Sequence, residues 1–213
     1  MELARQLLRG AGIKNMLFDS GSAVTVVFHQ RVLQDGPVQF QRSSVTVERS
    51  VARKDGKVPF AYGTYLWPSI IEKAWTVFKL GGQYTKIPEN RSASIVFEAL
   101  LGRVAEDSSM VDAIEPEEEV DGRDALLDEQ TLAKFLRGKL TGHARKLVTA
   151  GTKSIVDGAP KGIIGDHWYE VVSIAETGTI RVRNPHGKTK HAEAEIDLTP
   201  KQMIACFSNL TLA

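Results

Sequence analysis

Hydrophobic and polar residues alternate in the first part of the chain, a pattern that is typical of half-buried β-strands. The stretch Ala23–Gln30 carries valine or phenylalanine at every second position and predicts a strand. Asp35-Gly36 is a hairpin turn signal, and alternation resumes over Val38–Val51. We therefore expect a β-hairpin here, preceded by a short helix at Glu2–Arg9 and followed by a turn at Asp55-Gly56.

The hydrophobic period changes to three and four residues after Tyr65, which predicts an amphipathic helix. This helix should end at Gly81-Gly82, and Pro68 lies in its first turn, where proline is tolerated. Similar spacing predicts a second helix over Ser92–Leu101 and a third over Asp128–Leu140. The middle of the chain should therefore be helical.

Short alternating segments dominate the last third of the chain. We expect a final helix at Lys201–Phe207, opened by Thr199-Pro200 with Thr199 as its cap. Helices followed by a run of strands predict an α+β fold, with residues 1–101 forming a helical part with a hairpin and residues 102–213 a sheet part. The expected strands of the sheet part are Lys146–Ala150, Trp168–Ile174, Thr179–Asn184 and Glu195–Leu198.

Charge and composition exclude several classes of function. Lys and Arg number 27 against 26 Asp and Glu, so no strong field attracts nucleic acid or an anionic membrane. No apolar run approaches the ~20 residues that cross a bilayer, and the first residues lack a signal-peptide core. We expect a cytoplasmic protein, or an effector secreted without a signal peptide. The single cysteine, Cys206, excludes an intramolecular disulfide.

The candidate chemistry lies in the hairpin that Trp168–Ile174 and Thr179–Asn184 should form. With a turn centred near Thr177, His167 comes opposite a position around Asn184 to Gly187, and side chains of opposed residues lie about 5 Å apart. An imidazole whose second nitrogen is held by an amide is suited to act as a general base. We expect Asn184 to accept the Nδ1 proton of His167, so that a cysteine thiolate could pair with the imidazolium.

These residues resemble the catalytic motifs of calpain-type cysteine proteases. The family's Gly-His-Ala-Tyr and Arg-Asn-Pro-Trp-Gly elements correspond to His167-Trp168-Tyr169 and Arg183-Asn184-Pro185-His186-Gly187. The stretch Leu66–Trp75, followed by Gly82 and Tyr84, resembles the family's Glu-Lys-Ala helix and its Gly-x-Tyr sequel. The resemblance implies a papain-like fold of calpain type and peptide-bond hydrolysis through Cys, His and Asn. His167 would be the base and Asn184 its orienter, with no cofactor.

The chain departs from that family pattern at several positions. Asp166 stands between Gly165 and His167, where it could orient or charge the imidazole, although turn aspartates are common. His186 stands where the family has Trp after Asn-Pro. Its two interpretations are an accessory or pH-sensitive group and a residue of a surface loop. The calcium-binding insertion of animal calpains is largely missing, and the acidic stretch Ser108–Arg123 reads as a solvated loop. We therefore expect no calcium dependence and no metal site.

The family's nucleophile has no counterpart in this chain. The Gly-x-Cys-Trp helix and the oxyanion-hole Gln precede the hairpin in calpains, and only Met1–Arg9 lies in that place here. The front of the first lobe is then missing, and the chain should be inactive alone. Cys206 lies in an apolar stretch and should be a buried, inert thiol.

Three hypotheses follow from the missing nucleophile. The chain is part of a protease whose Cys comes from an upstream segment or a second chain. Alternatively, it is a non-catalytic pseudoprotease that docks a protein or peptide in its cleft, including as a module of a bacterial toxin or effector. A different enzyme that uses His167 with Asp166 is the third.

Overall fold

A computed structural model describes residues 15–32, 36–50, 66–89, 93–110, 128–142, 145–154, 158–185 and 194–213. The chain divides into two compact units, with the boundary between Val104 and Ala105. The helix expected at Glu2–Arg9 and the turns expected at Asp35-Gly36 and Asp55-Gly56 involve residues outside these ranges, apart from Gly36.

A three-stranded antiparallel sheet forms the first unit together with helices. Its order is β1 (Leu17–Asp19), β2 (Ala23–Val32) and β3 (Gln39–Glu48). Strands β2 and β3 pair along their whole length, from Ala23 opposite Glu48 to Val32 opposite Gln39, which confirms the predicted hairpin. Strand β1 was not predicted, because three residues are too few to show alternation.

The helices of the first unit follow the predicted pattern. Helix α1 (Trp67–Leu80) carries proline in its first turn and ends at Gly81, whose φ of +60° is the left-handed conformation that favours glycine. Helix α2 (Ala93–Leu101) also confirms the prediction. The 3₁₀ helix at Tyr84–Glu89 between them was not predicted.

The sheet of the first unit contacts α1 and α2 through opposite sides of β2. Phe28 lies against Trp75 and Phe78 of α1, with ring centroids 5.9 and 4.8 Å apart. The next residue, His29, donates from Nδ1 to the carbonyl oxygen of Ala99 in α2 at 3.3 Å. Successive side chains of a strand point to opposite faces, so β2 is packed on both sides.

The second unit is a six-stranded antiparallel sheet with two helices, α3 (Glu129–Leu140) and α4 (Pro200–Cys206). Asp128 caps α3 through the Thr131 N–H, and Thr199 with Gln202 forms a capping box on α4. The strand order is β4-β9-β5-β6-β7-β8, where β4 is Glu106–Ser109, β5 is Val148–Thr152, β6 is Trp168–Ile174, β7 is Ile180–Arg183, β8 is Glu195–Leu198 and β9 is Phe207–Leu212.

The second unit confirms the α+β class and corrects three details. Ser108 belongs to strand β4 rather than to a loop, and residues 111–123 of the predicted loop lie outside the described ranges. Strand β5 begins two residues later than predicted. The last helix ends at Cys206, and the following residues form β9, an inner strand between β4 and β5. Phe207 and Leu210 lie three positions apart, so alternation is broken at the start of this short strand.

The core of the second unit lies between α3, α4 and the sheet. Leu132 and Leu136 of α3 are fully buried, and they join one cluster with Val171, Val182 and Leu210 of three strands. Among the described residues, no helix is long and apolar enough to span a bilayer.

Candidate active site

Strands β6 and β7 form the hairpin that carries the two candidate residues. Ile174 faces Ile180, and the turn between them closes with hydrogen bonds between Ala175 and Thr179 and from the Gly178 N–H to Ala175. The predicted turn centred near Thr177 is therefore confirmed.

A β-bulge interrupts this hairpin at Val172. Ser173 pairs with Arg181, but the next matched pair places Val171 opposite Val182, so Val172 is the extra residue on β6. A bulge puts two residues of one strand opposite one residue of its partner. The inward-facing residues Val171 and Ile174 of β6 are therefore three positions apart, whereas those of a regular strand are two positions apart.

The register beyond the bulge brings His167 and Asn184 to one face of the sheet. Glu170 pairs with Arg183, so continuing the register places Tyr169 opposite Asn184. His167 lies two residues before Tyr169 and shares its face, because side chains alternate along a strand. The ring of His167 meets that of Tyr169 edge-on, with centroids 4.9 Å apart.

The imidazole of His167 and the carboxamide of Asn184 are in direct contact. His167 Nε2 lies 3.1 Å from Asn184 Oδ1, and Asn184 is 1% exposed. An amide oxygen only accepts hydrogen bonds, so Nε2 carries the proton and donates it. The expected contact occurs, but the prediction that Nδ1 would donate was wrong. In the neutral ring the lone pair is therefore on Nδ1.

The main chain of His167 is fixed by Thr152 at the end of β5. The Thr152 hydroxyl accepts from the His167 N–H at 2.8 Å and lies 3.0 and 2.8 Å from the carbonyl oxygens of His167 and Ile164. The Thr152 N–H also donates to the His167 carbonyl at 2.9 Å. The sequence alone did not identify Thr152 as a residue that supports the site. The one signal present was its position at the end of the strand that precedes His167.

Tyr169 secures the loop that leads into the site. Its hydroxyl donates to the Gly162 carbonyl and accepts from the Ile164 N–H, both at 3.0 Å. The Tyr169 side chain is fully buried, so its hydroxyl attaches this loop to the core of the second unit. Tyr169 follows His167 by two residues in the chain.

Asp166 turns the chain immediately before His167. Its φ of +51° is left-handed, a conformation that aspartate tolerates better than most residues. Its carboxylate accepts from the Ser154 hydroxyl at 2.8 Å. A Cβ at Gly165 would clash with the Ser154 carbonyl oxygen, so the turn requires glycine there.

The pKa of His167 is lowered from its ordinary value because burial disfavours the imidazolium, and the hydrogen bond to Asn184 offsets part of this effect. The imidazole is therefore neutral at neutral pH. A neutral ring with its proton on Nε2 can accept a proton on Nδ1, as a general base must.

Cys206 lies in the hydrophobic core of the second unit. Its side chain is 3% exposed, which confirms the predicted burial. Burial raises the pKa of the thiol, and the charge of Lys153 opposes this only in part. A thiol in this environment is protonated, whereas a nucleophilic cysteine needs a lowered pKa.

Other candidate positions are only partly covered by the structure. His186 lies outside the described residues, as does most of the acidic stretch 108–123. Within the described ranges, no three His, Cys, Asp or Glu side chains come together in a way that could hold a metal ion.

A family model described as calpain family cysteine protease matches residues 13–199 and so covers most of both units. No curated protein matches the chain.

Proposed function

The chain belongs to the calpain family of cysteine proteases, and we propose that His167 and Asn184 are the general base and orienting amide of its peptidase site. The nucleophilic thiol comes from a separate segment or a second chain. The observation that carries this proposal is the 3.1 Å contact between His167 Nε2 and Asn184 Oδ1.

The tautomer of His167 fits the steps of thiol catalysis. Nδ1 takes the proton of an incoming thiol, and the thiolate attacks the peptide carbonyl carbon, forming a C–S bond. The imidazolium then returns the proton to the leaving amine as the C–N bond breaks, and water hydrolyses the thioester. Asn184 holds Nε2–H throughout and keeps the ring oriented.

The only cysteine of the chain does not suit the role of nucleophile. Cys206 is buried in the core and its thiol has a raised pKa. We therefore expect the chain to hydrolyse no peptide bond by itself. The burial of Cys206 therefore supports a nucleophilic thiol that is supplied by another polypeptide.

The test is complementation by a polypeptide that carries the family's Gly-x-Cys-Trp helix, encoded in the same gene or next to it. We expect no hydrolysis of a fluorogenic peptide by either part and hydrolysis by the mixture. His167→Ala should abolish the gain, and Asn184→Ala should reduce it by about 10²–10⁴-fold, the usual contribution of an oriented acid–base group. Cys206→Ala is the matched control and should leave the gain intact.

Two results would overturn the proposal. One is hydrolysis by the chain alone that disappears in Cys206→Ala, since Cys206 would then be the nucleophile. The other is complemented hydrolysis that survives His167→Ala. A mixture that reacts with no thiol-directed protease probe would favour the docking module.

The second candidate function, a non-catalytic docking module, is supported by a cavity in the first unit. The cavity has a volume of about 500 Å³ and its lining includes Met16, Phe18, His29 and Arg42. His29 and Arg42 are directly opposed across β2 and β3, and no acidic residue is among its described lining residues. Such a site suits a carboxylate attached to an apolar group, such as the C-terminus of a peptide.

Titration with N-acetyl-leucine and with its amide tests the docking function. The acid should shift the NMR signals of the cavity residues and the amide should not. Arg42→Gln should abolish the shifts, whereas Arg49→Gln, which removes an arginine paired with Asp19, should preserve them. Equal shifts with acid and amide would refute this function.

A further inference from the structure

We propose that Glu170, Arg183 and Arg145 are positioning residues that hold Asn184 on the same face of the sheet as His167. Their role in catalysis rests on the proposed function. Their effect on the register of β6 and β7 does not depend on it. These three side chains stabilise the bulged register of β6 against β7, and the contact between His167 and Asn184 depends on that register.

The competing register follows from the pairing of Ser173 with Arg181. If β6 continued without a bulge, Val172 would face Val182 and Glu170 would face Asn184. A shift of one residue moves each affected side chain to the other face of a strand. In that register the residue opposite Asn184 is Glu170 rather than Tyr169, and His167 no longer shares a face with Asn184.

Glu170 and Arg183 form an ion pair that exists only in the bulged register. Glu170 is 4% exposed, and its Oε2 accepts from Arg183 Nη1 at 3.1 Å. Arg183 also donates from Nε and Nη2 to Glu195 Oε1 of β8, at 2.9 and 2.7 Å. The guanidinium thus links three adjacent strands one residue before Asn184. A buried carboxylate that loses its partner is costly, so the competing register is disfavoured.

Arg145 stabilises the bulge itself. Its Nη2 donates to the carbonyl oxygen of Val172 at 2.8 Å. A bulge residue falls out of the strand ladder, so its backbone polar groups need other partners. Arg145 is exposed and supplies such a partner without packing against the core.

The same hairpin offers a closely matched control. Arg181 and Asp197 form a bidentate pair at 2.7 and 2.9 Å between β7 and β8. This pair has the same chemistry as Arg183 and Glu195 and lies on the same strands, but it is exposed and sits on the turn side of the bulge. Its removal should not affect the register at Asn184.

The experiment compares Glu170→Gln, Arg145→Met and the control Arg181→Gln by long-range ¹H–¹⁵N NMR of the intact chain. In the wild type, His167 should show the Nε2–H tautomer. Glu170→Gln and Arg145→Met should lower the ratio of Nε2–H to Nδ1–H by about fivefold, the ratio that one ordinary hydrogen bond supports. A second set of His167 signals, from the other register, would be an equivalent result.

Arg181→Gln should leave the His167 signals unchanged. Leu136→Ala weakens the core of the same unit and should also leave the His167 signals unchanged. This variant therefore separates a positioning effect from a general loss of stability. If Glu170→Gln does not fold, Arg145→Met still tests the inference, and Glu170→Asp should restore the wild-type signals in part.

Unchanged His167 signals in folded Arg145→Met and Glu170→Gln would overturn the inference, as would an equal change in Arg181→Gln. The NMR result is independent of peptide hydrolysis. A failure of complementation with the expected His167 signals would reject the proposed function and leave the positioning role intact.

Discussion

Thr152 and Thr149 lie on the same strand, β5, and the same substitution should have opposite effects at the two positions. Both side chains are buried, at 7% and 5% exposure. The Thr152 hydroxyl binds the main chain at His167 and Ile164. The Thr149 hydroxyl has no hydrogen-bond partner within the part of the chain that the structure describes. Replacing each by valine changes one hydroxyl to a methyl group.

The magnitudes follow from which groups lose a partner. Thr152→Val leaves the His167 N–H without its acceptor and removes a donor from the Ile164 carbonyl, at a cost of about 2–4 kcal/mol in the free energy of unfolding. Thr149→Val removes a buried hydroxyl that makes no such bond, so it should be neutral or stabilising by about 1 kcal/mol. The two variants should therefore differ by roughly 3 kcal/mol.

Urea denaturation combined with amide hydrogen exchange of β5 and β6 measures this difference in the second unit itself. Thr152→Val should also disturb the His167 signals, whereas Thr149→Val should not. Equal effects of the two substitutions, or a larger loss in Thr149→Val, would refute the assignment of Thr152 as the support of the His167 main chain.

Four other predictions concern titratable groups. Asn184→Leu should lower the pKa of His167 further, because the lost hydrogen bond is the interaction that raises it; an unchanged NMR titration contradicts this. The wild-type pKa of His167 is below 6.5, so the folded state binds fewer protons than the unfolded one. The free energy of unfolding should fall as pH decreases from 6.5 through the folded pKa, and His167→Gln should remove this component. Burial raises the pKa of Glu72 to about 7, so its stabilising contribution, present below pH 4.5, is lost as pH rises to 7. Glu72→Gln should raise the free energy of unfolding by about 1–2 kcal/mol at pH 8 and leave it unchanged at pH 4, as urea denaturation would show. Cys206 should react with iodoacetamide only after unfolding, and rapid labelling of the native protein would contradict its burial.

Local sequence patterns were sufficient to predict most helices and the two hairpins. Alternation identified β2 and β3, helical spacing identified α1, α2 and α3, and the Gly178 turn set the approximate alignment of β6 with β7. That alignment placed His167 near Asn184, and the bulge at Val172 brings the two side chains to one face of the sheet. These features depend on residues near one another in the chain.

Features that depend on distant residues were not predictable in the same way. Strand β9 is recognised by its pairing with β4 and β5, because its own alternation is broken between Phe207 and Leu210. The choice of Nε2 over Nδ1 depends on how the His167 ring is oriented toward Asn184, which the alignment of the strands does not specify. The bulge at Val172 was not predicted either. One signal was present: the inward residues Tyr169, Val171 and Ile174 break the period of two.

The contacts described here for His167 and Asn184 lie within the second unit. Thr152 holds the His167 main chain, Tyr169 packs against its ring, and Arg183 fixes the strand that carries Asn184. None of these contacts involves a thiol, and each contributes to the stability of the sheet in its own right. The pair should therefore form fully in a chain without a nucleophilic cysteine. Binding of a polypeptide that supplies one then needs no rearrangement of β6 and β7.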